Sequence, residues 1–128
     1  MRIIQSFWSD PTDIKCGLND TKYHLMSWTL SSLTLSKYYG SIELYSNLFG
    51  CEILIDKLNL PYKVGSLSLE AFRKENKFPI WTLSKLYVCA QQTAPFIHID
   101  GDIYIFKDIL SQFANESLIA QNEDNSFY

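Results

Sequence analysis

The sequence predicts an α/β domain with a mainly parallel sheet and flanking helices. Short apolar runs alternate with helix-like segments along the 128 residues, and such alternation implies parallel strands joined by crossovers. In sheets of this kind, ligands bind outside the carboxyl ends of the strands. The segment 96–106 (FIHIDGDIYIF) places Asp100 and Asp102 within an otherwise apolar run. Because buried carboxylates need water, a basic side chain or a metal ion to compensate their charge, this segment is the first candidate for a binding site.

The first half of the chain is expected to contain two strands and two helices. The predicted elements are strand 2–8, loop 9–20, helix 21–39, strand 41–47 and helix 48–60. Asp20 or Asn19 would cap the first helix, and Gly40 suits the position just after its end. Pro61 would close the second helix. Four apolar residues at helical spacing form one stripe on the first helix: Tyr23, Met26, Leu30 and Leu33.

The second half is expected to add a weaker strand, a polar connection, a helix and the strand with the carboxylates. The predicted ranges are strand 62–69, exposed connection 70–77, helix 80–92, strand 96–106, a helical turn at 107–114 and a final strand at 117–122. Pro79 suits the first turn of its helix, because the N–H that proline lacks has no partner there. Pro95 opens the strand. We expect residues 1–128 to form one domain.

Composition argues against two classes of function. The net charge is −3 and the 11 Lys and Arg residues are spread along the chain, with only Arg73 and Lys74 adjacent, so we do not expect the basic surface of a nucleic-acid-binding protein. No apolar run approaches the roughly 20 residues that span a bilayer, and the first residues lack the pattern of a signal peptide. The expectation is a cytoplasmic protein without a membrane span. Cys16, Cys51 and Cys89 are widely spaced, which favours buried free thiols over a disulfide or a zinc site.

The two carboxylates indicate a divalent metal site. In a continuous strand Asp100 and Asp102 would point to the same side, roughly 7 Å apart. Two carboxylates so placed can share one Mg²⁺ or Mn²⁺, which also accepts water and substrate phosphates. Gly101 would let a nucleotide approach the backbone closely. The alternative interpretation is structural: the aspartates cap a turn or accept backbone hydrogen bonds.

Other candidate residues each have two interpretations. His98 is either a third metal ligand or a histidine that is hydrogen-bonded in the core, and Lys85 is either a solvated lysine or a cation for the ligand. Trp8 and Trp28 either stack on a base or sugar or pack in the core. No GxSxG turn, P-loop or GxGxxG motif occurs, so Ser/His/Asp catalysis has no support in the sequence.

Several segments together resemble the GT-A fold of nucleotide-sugar-dependent glycosyltransferases, in which an apolar strand ends in a DxD motif that holds the metal and the donor's diphosphate. More specifically, they look like a bacterial group of uncharacterised proteins related to these transferases. The segments are IIQSFWS, KYHLMSW, ELYSNLFG, PIWTLSKLYV, PFIHIDGDIYIF and LIAQN. They span nearly the whole chain in the expected order.

This resemblance implies roles for individual residues. Asp102 would be the direct metal ligand, and Asp100 would contact the ribose or reach the metal, Mn²⁺ or Mg²⁺, through water. Lys85 would reach the donor, and Gly101 belongs to the same donor-binding segment. The nucleoside pocket would be lined by three residues of the first strand: Gln5, Ser6 and Phe7. Asn47 stands where related sequences tend to have an acidic residue.

The function that the resemblance implies is binding of a nucleoside diphosphate sugar through a divalent metal. Transferase domains of this kind are longer, so we expect the chain to be the N-terminal part of such a domain and to bind donor with little or no turnover. No catalytic residue is assigned. The alternative is a non-catalytic sugar-nucleotide-binding or protein-interaction module. Aromatic residues make up 15% of the chain, and this excess, with the missing second half, predicts self-association into a homo-oligomer.

Overall fold

The computed structural model describes residues 2–9, 20–75, 82–113 and 115–116, and within them the strands form one parallel sheet. The strands are β1 (Arg2–Phe7), β2 (Ile42–Ser46), β3 (Tyr62–Ser66) and β4 (Phe96–His98). They pair in the order β3-β2-β1-β4, and every pairing is parallel. The predicted α/β class with a parallel sheet is therefore confirmed, and this strand order is the one found in Rossmann-like folds.

Helices cover both faces of the sheet. They are α1 (Thr21–Tyr39), α2 (Leu48–Cys51) continuing into a π-helical segment (Glu52–Lys57), α3 (Ser68–Glu75) and α4 (Thr82–Ala90). On one face Ile3 packs in a cluster with Leu35 of α1, and on the other Ile4 packs with Leu69 of α3 and Val88 of α4. Because neighbouring residues of β1 point to opposite faces and both faces are covered, five of its six residues are buried.

Both predicted ends of α1 are confirmed. The Asp20 carboxylate caps the helix by accepting a hydrogen bond from the Lys22 backbone N–H at 2.9 Å. Gly40 has a φ of 76°, a left-handed conformation that favours glycine, and its N–H donates to the Ser36 carbonyl at 3.0 Å. These local signals fix the length of α1 independently of its surroundings.

The apolar stripe of α1 faces away from the sheet. Its members Tyr23, Met26, Leu30 and Leu33 are 43–63% exposed, whereas the residues buried against the sheet are Trp28, Ser31, Ser32 and Leu35. An amphipathic helix ordinarily turns its apolar stripe to the core, so the orientation is the reverse of what the stripe indicates. The two serines tolerate burial because their hydroxyl groups donate to backbone carbonyls. Ser31 donates to the Ile103 carbonyl at 2.7 Å, and Ser32 donates to the Thr29 carbonyl at 3.0 Å.

The prediction of an exposed connection at 70–77 is wrong for residues up to Glu75, which belong to α3. The Ser66 hydroxyl accepts a hydrogen bond from the N–H of Ser68 at 3.0 Å and thereby ends β3 four residues after its start and begins the helix. Leu69 is fully buried and Phe72 packs against the same cluster. The apolar positions of a helix are therefore present in this segment, but the charged residues around them led to the prediction of an exposed connection.

The strand predicted over 96–106 is much shorter than expected, because β4 ends after three residues. A turn follows, closed by a hydrogen bond from the Ile103 N–H to the Asp100 carbonyl at 3.1 Å. Beyond the turn the backbone bonds to α1 side chains instead of to a strand, for example the Ile105 N–H to the Thr34 hydroxyl at 3.2 Å. In the register of the sheet β1 continues to Phe7, three residues past the last pair of Ile4 with His98, so the turn and not the end of β1 terminates β4.

The remaining elements agree with the sequence to within a few residues. The helix predicted over 80–92 is α4, and the helical turn predicted at 107–114 is a 3₁₀ turn at Leu110–Phe113. Pro79, most of the loop 9–20 and the strand predicted at 117–122 lie outside the described residues. Within the described ranges, no helix combines the length and the apolar character needed to cross a membrane.

Candidate ligand-binding site

Two of the sequence-predicted site residues meet where β1 and β4 end. The chain passes from β1 outward to β2 and β3, and it then returns to β4 on the other side of β1. The carboxyl ends of β1 and β4 therefore flank a topological switch point, where the connections diverge and leave a crevice in folds of this class. Asp100 follows β4 directly, and Lys85 lies on α4, which covers the adjacent sheet face.

Lys85 and Asp100 form an accessible ion pair at this point. The distance from Lys85 Nζ to Asp100 Oδ2 is 2.7 Å, and the two side chains are 23% and 42% exposed. Val88, one turn further along α4, is fully buried against the sheet, so the helix is anchored while the ammonium group stays near the surface. A pair with this exposure contributes little to stability, and both charges remain available to a ligand.

His98 links this pair to β1. Its Nε2 lies 2.8 Å from the Ser6 hydroxyl, and its Nδ1 lies 3.7 Å from Asp100 Oδ1. Burial lowers the pKa of His98 below its usual range; the Asp100 carboxylate opposes this effect and the Lys85 ammonium adds to it. The imidazole is therefore neutral at pH 7 and shares a hydrogen bond with the Ser6 hydroxyl. This geometry agrees with the hydrogen-bonded interpretation of His98.

Ser6, His98 and Asp100 have the connectivity of a proton relay, which the sequence did not indicate. A neutral histidine bonded to a hydroxyl is the arrangement of a general base with its nucleophile. Ser6, however, is only 8% exposed and lies within β1, and the 3.7 Å between His98 and Asp100 exceeds a hydrogen-bond distance. The three groups therefore do not form a complete relay, and a buried strand serine is poorly placed to attack a substrate.

Asp102 is an exposed residue in the turn that follows β4. The prediction that Asp100 and Asp102 share a face was based on the alternation of side chains along a strand. This basis is wrong, because the two residues lie in a turn and not in a strand. The turn interpretation of the motif is thus correct in part: the Asp100 carbonyl accepts the turn's hydrogen bond. Both carboxylate side chains nevertheless reach solvent.

The donor chemistry of the two carboxylates fits a hard divalent cation such as Mg²⁺ or Mn²⁺. Asp102 is exposed, and Asp100 keeps Oδ1 free of the Lys85 contact. Over residues 2–9, 20–75, 82–113 and 115–116, no group of three or more His, Cys, Asp or Glu side chains is arranged to hold a metal. A cation at this turn would therefore take most of its ligands from water and from the phosphates of a bound molecule.

Gln5 supports the site from the opposite face of the sheet. It is fully buried, its amide nitrogen donates to the Ser31 hydroxyl at 3.0 Å and to the Asp100 carbonyl at 3.2 Å, and its amide oxygen accepts from the Tyr62 hydroxyl at 2.6 Å. Burial raises the pKa of Tyr62 well above its usual value, so its hydroxyl stays a donor. The amide of Gln5 thus fixes the backbone that carries the Asp100 carboxylate.

Phe7 and Gly101 pack around Trp28 in the core. Phe7 is 1% exposed and meets the Trp28 ring edge-to-face with 4.8 Å between centroids. A Cβ atom at Gly101 would lie 2.2 Å from the Trp28 ring, so the absence of a side chain there makes room for the indole. Trp28 therefore packs in the core, which is one of the two interpretations that the sequence allowed. The roles of Gln5, Ser6, Phe7 and Gly101 in contacting a donor stay predictions.

Asn47 has a structural role at the end of β2. Its amide oxygen accepts from the Gly50 N–H at 3.1 Å and caps α2, and its amide nitrogen donates to the Ser9 carbonyl at 2.7 Å. Cys51 and Cys89 are free thiols, as the sequence predicts, but they are half-buried and not buried, and burial raises the pKa of both. Cys16 lies outside the described residues.

Fold and site together define a Rossmann-like α/β protein with an accessible ion pair at the switch point of a parallel sheet. The chain belongs to a family of unknown function, DUF6734, whose sequence profile matches residues 1–128. Searches of curated proteins and of solved structures return no significant match.

Proposed function

We propose that this chain is a glycosyltransferase-like domain that binds a nucleoside diphosphate sugar, together with Mn²⁺ or Mg²⁺, at the carboxyl ends of β1 and β4. The observation that carries the proposal is the accessible Lys85–Asp100 pair, 2.7 Å apart, beside the exposed Asp102 at the switch point of the sheet. A cation and two carboxylates at such a point match the opposite charges of a diphosphate and a divalent metal.

Each charged side chain has a distinct task in this proposal. Asp102 and Asp100 hold the cation, and Lys85 donates hydrogen bonds to a phosphate oxygen. When bound, the cation would offset the negative charge that develops on a departing nucleoside diphosphate. His98, neutral because burial lowers its pKa, places no competing positive charge beside Asp100.

Cation and nucleotide should assist each other's binding. Without ligand, Lys85 and Asp100 neutralise each other. A diphosphate alone must draw Lys85 away and leave Asp100 unpaired, and a cation alone must compete with the ammonium for the carboxylate. When both bind, each charge finds a new partner, so we expect the affinity for the nucleotide to rise at least tenfold with the cation present.

Isothermal titration calorimetry with UDP and GDP, with and without Mn²⁺, tests the proposal. Asp102→Asn removes one anionic ligand at almost constant volume, so it should lower nucleotide affinity in Mn²⁺ at least tenfold. Asp56→Asn is the matched control, since Asp56 is an exposed carboxylate on the π-helical segment, away from the crevice. Equal nucleotide affinity of the Asp102→Asn variant and the parent in Mn²⁺ would contradict the metal-site proposal.

A non-catalytic binding module is the alternative function. The same crevice would bind the donor there, but no sugar would be transferred or released. Incubation with nucleoside diphosphate sugars and Mn²⁺, followed by assay of free nucleoside diphosphate, distinguishes the two. Mn²⁺-dependent release that Asp102→Asn abolishes favours the transferase, and binding without release favours the module. In both cases we place the function in the cytoplasm, as the sequence predicts.

A further inference from the structure

The outward side of α1 carries a continuous apolar surface. We call this surface the α1 patch; it consists of Tyr23 (55% exposed), Met26 (63%), Leu30 (43%), Leu33 (50%), Ile103 (37%), Tyr104 (39%) and Phe106 (72%). The last three residues join the helix stripe because the chain after β4 runs alongside α1. The Tyr104 hydroxyl lies 2.8 Å from that of Ser27, and the Tyr38 hydroxyl donates to the Phe106 carbonyl at 2.5 Å.

The size of the α1 patch is close to what a protein interface requires. If each large side chain carries on the order of 150–200 Å² of surface, the exposed fractions leave roughly 500–700 Å² of apolar area. Monomeric proteins rarely expose contiguous apolar patches larger than a few hundred Å², and a standard interface buries about 800 Å² on each partner. The patch would therefore fill most of one interface without help from the rest of the surface.

The spacing of the helix stripe is self-complementary. Successive members are three, four and three residues apart, which is the a/d pattern of helices that pack side by side at a shallow angle. This spacing reads the same in both directions. An antiparallel copy of α1 centred on residue 28 therefore sets Tyr23 opposite Leu33 of the other copy, and Met26 opposite Leu30.

The charges of α1 favour the same pairing. Between Lys22 and Lys37 the helix carries no Lys, Arg, Asp or Glu, so two copies bring no like charges together at the centre. In the antiparallel register, the exposed Lys37 lies within one residue of the position opposite Asp20, whose side chain is 47% exposed. Each end of the pair then holds Lys37 of one copy beside Asp20 and Lys22 of the other, which are 3.6 Å apart, so the uncharged centre and the antiparallel helix dipoles are what favour the pairing.

We propose that two copies of this chain associate through the α1 patch, with their α1 helices antiparallel across a two-fold axis near residue 28. Such an isologous contact closes on itself and yields a dimer. The proposal does not rest on the proposed nucleotide site, although Ile103 and Tyr104 of the patch directly follow Asp102.

Sedimentation velocity of the full chain over a range of concentrations tests the dimer. Met26→Glu should raise the dimer dissociation constant at least a hundredfold, because two charges would be buried in the contact. Leu86→Glu is the matched control, since Leu86 is 60% exposed on α4 and lies outside the patch. Unchanged thermal unfolding at low concentration shows that the substituted monomer folds. A parent that stays monomeric at every concentration, or a dimer that Leu86→Glu disrupts and Met26→Glu does not, overturns the proposal.

Disulfide trapping tests the antiparallel register. Tyr23→Cys and Leu33→Cys are made separately, and the parent, with its own cysteines, sets the background. In the proposed dimer, identical substituted positions are about 15 Å apart along the helix axis, whereas Cys at 23 and Cys at 33 of the other copy are adjacent. We expect mild oxidation to link the two variants only when they are mixed. Linkage within each variant alone, with no disulfide between the two different variants in the mixture, would show a parallel pairing and refute the register.

Discussion

Two polar clusters lie on neighbouring residues of β1, on opposite faces of the sheet, and they differ in charge and in exposure. On the α1 side, Gln5 and Ser31 are fully buried, neutral and hydrogen-bonded, with Tyr62 completing the cluster. On the α4 side, Ser6 leads through His98 to the Asp100 carboxylate, which is 42% exposed and pairs with a lysine. The first cluster is closed to ligands, and the second is open.

The comparison shows that the residues that fix the backbone of the site need not be the residues that face a ligand. Asp100 belongs to both clusters, because its backbone carbonyl accepts from Gln5 and Ser31 while its carboxylate faces the crevice. Satisfied buried polar groups stabilise a structure when complete and cost stability when one partner is removed. Substitutions in the closed cluster should therefore change the free energy of unfolding, and those in the open cluster should change ligand binding.

The largest effect is expected from Gln5→Leu. It removes the acceptor of the buried Tyr62 hydroxyl and one of the donors to the Asp100 carbonyl, so the free energy of unfolding should fall by about 2–3 kcal/mol. Urea unfolding at pH 7 measures the loss. Ser6→Ala, on the other face of the same strand, is the control and should cost about 1 kcal/mol or less. Equal losses for the two variants would mean that the clusters do not differ in the way described.

Gly101→Ala should lower the free energy of unfolding by about 1–3 kcal/mol, because the new methyl group would overlap the Trp28 ring. Combining it with Trp28→Phe, which removes part of the ring, provides the check. The double variant should lose less stability than the two single variants together. Strict additivity in urea unfolding would show that the packing against Trp28 is not what requires glycine at this position.

Lys85→Met should change the free energy of unfolding by at most about 1 kcal/mol, since the pair that it breaks is partly exposed. Nucleotide affinity in Mn²⁺ should fall about tenfold, because the phosphate loses its cation. Lys57→Met breaks a comparable exposed pair, Lys57 with Glu52 at 2.9 Å, outside the crevice and should leave affinity unchanged. Calorimetry on the two variants decides whether Lys85 acts through its position or merely through net charge.

The smallest effect concerns pH. Burial lowers the pKa of His98 and of His24 in the folded protein, whereas in the unfolded chain both titrate near pH 6.5. As pH falls below about 6.5 the unfolded state takes up protons that the folded state excludes, so the free energy of unfolding decreases on acidification. Urea unfolding at pH 7.5, 6.5 and 5.5 should show this decrease, and His98→Gln should make it shallower. A decrease of identical slope in the variant would remove His98 as a cause.

The sequence by itself determined the features that depend on nearby residues. The α1 cap at Asp20 and the stop at Gly40 follow from local hydrogen bonding and backbone conformation. Alternation of strands and helices was enough to predict the parallel sheet. The ion pair of Lys85 with Asp100 was not predicted as such, but both residues were named as members of one site.

Only the tertiary structure decided where the long-range partners meet. The pairing of Ser6 with His98 depends on the register that aligns Ile4 with His98 across two strands, and nothing local in the sequence encodes that alignment. The orientation of α1 likewise depends on the chain after β4, whose carbonyls satisfy the hydroxyl of Ser31 and so make a serine face acceptable in the core. Helical periodicity reports which residues share a face, but it does not report which face meets the sheet, because that choice is made by groups distant in sequence.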